Sequence, residues 1–178
     1  MGFTKLLRAN VTILAAYPEA FVNPLAPTAA ELNAQFVYSS AEGNMVFNVS
    51  KAVLDDYTLN MKDSDTDKSI SIVDIGNVDT PTFENYEVSI DGFRDKSLTD
   101  TGVYNMFREL TLGADCPLYW IKRVGFTQTT AYAVGQVISI YGTNTDFPID
   151  VVADNAMLKH GARFKATGSL AINYTIAA

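Results

Sequence analysis

Only one long stretch of this chain carries helical spacing, and it is set in a sequence that otherwise reads as strands and turns. Val103, Met106, Phe107 and Leu110 recur at intervals of three, four and seven, which puts them on one face of a helix. Gly113 follows where a helix end favours a residue tolerant of positive φ, so the spacing predicts a helix over about 101–113, capped by Asp100 or Thr101. Two apolar runs, 118–124 and 134–141, come next, joined by a polar link containing Gly, Thr and Gln. A lone helix feeding a hairpin must lay its apolar face on a sheet. Val103, Met106, Phe107 and Leu110 are the residues expected to pin it there.

The remaining segments follow a strand rhythm. Residues 9–17 predict a first strand, and Pro18, Pro24 and Pro27 then keep the link irregular by removing backbone donors. Thr28-Ala29-Ala30-Glu31 is a capping box that starts a short helix over about 28–34. Residues 36–38 resume extended structure. Further strands are predicted at 44–49, 55–61, 70–75 and 84–93. In the last of these, Tyr86, Val88 and Ile90 point one way and Asn85, Glu87, Ser89 and Asp91 the other. Residues 144–161 read as loop with a turn of helix near 153–158. Residues 163–176 form a closing strand with Phe164, Ala166, Gly168, Leu170, Ile172, Tyr174 and Ile176 on one face. Seven or eight strands with one substantial helix predict a β-sandwich or flattened barrel carrying that helix on its flank. The 178 residues show no repeat and no composition break, so residues 1–178 read as a single domain.

Charge narrows the function. Residues 1–100 carry seven Lys/Arg against fifteen Asp/Glu, and residues 101–178 carry six against five, within a net charge of −7. An acidic surface repels phosphate backbones and disfavours a nucleic-acid reader. The split also lets an acidic surface meet a less acidic one when copies stack. The run 11–17 is cut at seven residues by Pro18 and Glu19, so no secretory leader is expected, and nothing approaches a membrane span.

Chemistry-bearing patterns are weak. Asp63, Asp65 and Asp67, with Lys68, Ile70 and Asp74, imitate the spacing of a calcium loop. Lys68 stands where the sharp turn needs Gly, Asp74 where a bidentate Glu is usual, and the flanks read as strands. A solvated acidic hairpin tip is the preferred reading over a calcium site, and no metal or cofactor is expected. His160 and Cys116 are each the sole residue of their type, which supports neither a metal cluster nor a catalytic pair. His160 reads as an exposed loop residue and Cys116 as a small core residue. Lys122-Arg123 reads as a solubilising strand edge, or as charge that meets the acidic tips of a neighbouring copy. No nucleophile elbow, phosphate loop or dinucleotide fingerprint occurs, so the chain is not expected to be an enzyme.

Three stretches, taken in order, carry a family likeness. They are Ala26-Pro27-Thr28-Ala29-Ala30-Glu31-Leu32-Asn33, the helix 103–113 running on to Arg123-Val124-Gly125, and Ala133-Val134-Gly135-Gln136-Val137 leading to the closing strand. The chain resembles the major tail tube proteins of long-tailed, siphovirus-type bacteriophages, especially those of phages infecting actinobacteria. The resemblance implies a β-sandwich with a flanking helix, six copies to a ring, and rings stacked head to tail into an acidic-lined conduit for DNA ejection. It implies self-association, contact with other tail proteins such as tape measure and tail terminator proteins, transient passage of viral DNA, and a place in the virion after synthesis in the host cytoplasm. Asn85, Glu87, Ser89 and Asp91 are then the candidate lumen or solvent face. Asp63, Asp65, Asp67 and Lys68 mark the candidate inter-ring loop. The alternative is a non-catalytic β-sandwich binding module, carbohydrate-binding or capsid-decorating, for which aromatic residues should gather on exposed loops. Trp120 lies in mid-strand instead, and most Tyr and Phe fall at core spacing.

Overall fold

A computed structural model of the chain describes residues 10–34, 45–67, 80–95, 102–151 and 158–178. In chain order the elements are β1 (Val11–Ala16), α1 (Ala29–Asn33), β2 (Val46–Asn48), β3 (Thr58–Asp67), β4 (Thr80–Phe93), α2 (Val103–Leu110), β5 (Pro117–Val124), β6 (Val137–Val151) and β7 (Lys159–Thr175). The seven strands form one antiparallel sheet in the order β2-β1-β5-β6-β7-β4-β3. The protein is mainly β, as the strand rhythm predicts.

The sheet curls because the link after β2 crosses to the far end of the strand order. Leu54 N–H donates to the Asp91 carbonyl at 2.8 Å, and Phe93 N–H donates to the Ala52 carbonyl at 2.8 Å. Across the opening, Lys122 Nζ of β5 donates to the Leu59 carbonyl of β3 at 3.0 Å. Strands six places apart in the order therefore enclose one core. Ile13, Phe47, Leu59, Tyr86, Ile90, Trp120 and Tyr141 meet inside it.

Helix α2 closes this core. Met106, Phe107 and Leu110 are buried in it and Val103 packs at its margin. The Phe107 ring lies 6.3 Å from Trp120, whose indole N–H donates to Thr143 Oγ1 at 3.1 Å. Gly92 makes room for the helix, because a Cβ there would fall 2.4 Å from Phe107 Cε1. The helix is shorter than its sequence span, and its N-cap is Gly102, which lies nearer the first apolar residue than Asp100 or Thr101.

A second core covers the opposite side of β1, β5 and β6 with Leu14, Phe21, Leu32, Val46, Ile121, Tyr132, Ile138, Ile140 and Ile176. The capping box forms as the sequence predicts. Glu31 N–H donates to Thr28 Oγ1 at 3.3 Å, and Thr28 N–H donates to Glu31 Oε2 at 2.7 Å.

Strand β7 departs from a single apolar face. Phe164 and Leu170 pack against the first core, whereas Ala171 and Tyr174 pack against the second. Positive φ at Gly168 (81°) and Asn173 (54°) marks register breaks opposite β6, and the extra residue at the second break keeps Tyr174 on the same side as Ala171. The stretch 144–151, expected as loop, continues β6; residues 152–157 lie outside the described residues. The expected strands at 36–38 and 70–75 also lie outside them.

Candidate assembly surfaces

Asn85, Glu87, Ser89 and Asp91 occupy the side of β4 turned away from the first core, while Tyr86 and Ile90 point into it. Their charges are matched by neighbouring strands. Lys62 of β3 lies 3.1 Å from Glu87, Arg163 of β7 lies 3.2 Å from Asp91, and Lys165 of β7 lies 3.1 Å from Asp146 of β6. Asn85 Nδ2 donates to the Asp63 carbonyl at 3.3 Å. Among the described residues these ion pairs offset three of the acids on this side, while Asp63 and Asp65 of β3 stay exposed. The backbone N–H of Phe147, first, and then Lys165 hold the Asp146 carboxyl below its ordinary pKa.

Asp63 and Asp65 do not form a turn. They are exposed within β3, and the backbone of Asp67 ends that strand; Lys68 lies outside the described residues. An extended strand separates successive carboxylates instead of winding them around a cation, which removes the geometric basis of the calcium-loop spacing over 63–67. Among the described residues no group of three His, Cys, Asp or Glu side chains is placed to hold a metal ion.

Two basic residues lie where the sequence reading did not put them. Strand β5 is interior to the sheet, so Lys122-Arg123 is no edge. Lys122 spans the opening toward β3 beside a cavity of about 390 Å³ lined in part by Val11, Ile13, Tyr57 and Asn60. Arg123 is fully buried. Its Nη1 donates to the Ala131 carbonyl (3.1 Å) and Gln136 Oε1 (3.0 Å). Its Nη2 donates to Thr12 Oγ1 (3.3 Å) and the carbonyls of Thr127 (3.2 Å) and Thr130 (2.6 Å). The Tyr132 ring stacks 3.9 Å from the guanidinium. No carboxylate among the described residues pairs with it. Its charge is stabilised by oriented carbonyl dipoles and an aromatic face, an arrangement suited to the planar five-donor fork of arginine.

That guanidinium fixes the loop 126–136. Asn33 of α1 adds two bonds to the backbone of Tyr132, each 2.8 Å, and Asn48 Nδ2 donates to the Gln128 carbonyl at 2.9 Å. The far side is tied to the C-terminal segment, with Gly135 N–H on the Ile176 carbonyl (3.0 Å) and Ile176 N–H on the Gln136 carbonyl (2.9 Å). The available signal was Arg123 between Lys122 and Val124 in an otherwise apolar strand, followed by a Thr-rich link: a cation turned inward there needs acceptors nearby.

His160 is also buried, in β7, rather than exposed in a loop. Its Nε2 lies 2.8 Å from Thr111 Oγ1, and its ring meets Phe107 edge-on at 6.0 Å. It anchors the end of α2 to the sheet. Cys116 is partly buried.

Among the described residues no helix is long and apolar enough to cross a membrane. A comparison with curated proteins found no match to the chain. The family model described as phage tail tube protein matches residues 1–178, the full length of the sequence. The curled antiparallel sheet, the flanking helix and that full-length match agree: the chain belongs to the phage tail tube protein family, whose members are structural components of the virion tail.

Proposed function

We propose that this chain assembles into hexameric rings that stack into the tube of a siphovirus-type phage tail and form the conduit for viral DNA during ejection. The observation that carries the reading is the family match across all 178 residues. The fold supports it, because among the described residues the strand order ends at β2 and β3, and the end of a sheet is where a neighbour's strand can extend it. In this reading the segment marked by Asp63, Asp65, Asp67 and Lys68 is the arm reaching an adjacent ring, with Asp63 and Asp65 exposed in β3. The outward face of β4 borders lumen or solvent, and tape measure and tail terminator proteins meet the inside and the end of the tube.

Electron microscopy of the purified full-length protein, with light scattering, tests this. Hollow tubes or six-fold rings are expected. A stable monomer at high concentration, still monomeric after addition of tail-tip complexes as initiator, overturns it.

A further inference from the structure

Among the exposed large apolar side chains, one set lies at each end of β6, and neither core accounts for them. At its start Val134 is 61% exposed, with Val137 and Val124 both 46% exposed; at its far end Phe147 is 73% and Ile149 54% exposed. The β5–β6 register sets Val124 beside Val137. Twelve residues separate Val137 from Ile149, a span of roughly 40 Å at strand rise.

Val134 sits at the apex of the turn 133–136, closed by Gln136 N–H on the Ala133 carbonyl at 3.2 Å. Gly135 supplies the positive φ (86°) this turn requires. The turn belongs to the loop that Arg123, Asn33 and Ile176 hold in place. An exposed valine on a rigid apex is an apolar knob that has already lost its conformational freedom, so little ordering cost remains when it is covered. Two different apolar surfaces on opposite ends of one element suit a heterologous contact, in which copies join end to end and the series stays open. A two-fold dimer would need only one self-complementary patch.

We infer that the Val134 end of one copy seats against the Phe147 and Ile149 end of the next, making the contact between successive rings. The occupant of each surface is therefore a second copy of this chain. The inference rests on the tube reading and assigns residues to its axial contact.

The test uses the full-length protein as wild type, Val134→Asp, Phe147→Arg and the double variant. Circular dichroism confirms folding, and microscopy with light scattering measures tubes. Both positions are exposed, so folding should be retained. Each single variant should lose tubes, because a lone charge is buried in an apolar contact. The double variant should regain them, because every contact in an open series then pairs an aspartate with an arginine. Tubes formed by both single variants, or a double variant as deficient as the singles, overturn the assignment while leaving the tube reading intact. Wild type that forms no tubes even with initiator overturns the tube reading itself.

Discussion

The phenol of Tyr86 in β4 donates to the carbonyl of Gly142 in β6, although β7 separates those strands. The same oxygen accepts from the backbone N–H groups of Thr167 and Gly168, each at 3.1 Å. One side chain thus satisfies the backbone groups that the break in β7 leaves without a ladder partner. Tyr86→Phe removes the shared oxygen and strands those groups, and should cost about 1–3 kcal/mol in urea unfolding. Gly142→Ala should cost a similar amount by a different route, since its Cβ would stand 2.7 Å from Ser169 Cβ.

Gly92 sets the seat of α2. Gly92→Ala drives a methyl into the Phe107 ring and should destabilise by about 1–3 kcal/mol. Adding Phe107→Leu should recover part of that loss, and a double-mutant cycle of thermal unfolding measures the coupling. Strictly additive costs would show that the ring does not rest on Gly92.

Arg123→Met keeps the apolar stem but leaves several carbonyls unsatisfied. A loss of about 3 kcal/mol or more is expected, together with faster amide exchange across 126–136. Arg123→Lys should recover little, because an ammonium cannot reach acceptors spread across the loop. Unchanged exchange in that loop would remove its dependence on the guanidinium.

Alkali should unfold the protein through its tyrosines. Burial, the leading cause in each case, raises the pKa of Tyr17, Tyr132 and Tyr141 above the ordinary 10.0. A raised folded-state pKa means stability that is fully present below pH 10 and lost as pH rises above it. Tyr132 also buries a hydroxyl without a hydrogen-bond partner. Tyr132→Phe keeps the ring over Arg123, so it should be neutral or stabilising by up to about 1 kcal/mol and should move the alkaline transition upward. Tyrosinate absorbance followed alongside circular dichroism between pH 9 and 12 checks both effects.

Glu87 and Asp91 sit in exposed ion pairs, so Glu87→Gln and Asp91→Asn should each change monomer stability by less than about 1 kcal/mol. Reversing both charges separates the possible placements of this face. Tubes that form but eject DNA slowly place it on the lumen, whereas lost assembly places it in an interface.

Elements whose residues obey one period were legible in the sequence. The heptad-like spacing of Val103, Met106, Phe107 and Leu110, the Thr28–Glu31 box and the alternation through Tyr86, Val88 and Ile90 all report local geometry, and the structure carries each of them. His160 was misplaced because its partner Thr111 lies far along the chain, and Arg123 because its nearby acceptors serve it only once the loop 126–136 folds back over β5 toward Thr12. The extension of β3 through Asp63 and Asp65 was hidden for a related reason. Pairing with β4 outweighs the preference of clustered aspartates for turns. The ion pairs of the β4 face were equally invisible, since Lys62 and Arg163 come from two other strands.

The extra residue at 172–173 has a consequence for how this sequence can vary. Leu170 faces the first core and its neighbour Ala171 the second, and the extra residue is what carries Tyr174 to the side of Ala171. A one-residue deletion at 172 or 173 leaves Ala171 and Tyr174 two positions apart and still on one side, so it turns the bulge into plain ladder without moving either side chain to the other core. What this strand has to preserve is the side on which each apolar residue stands, more than its length.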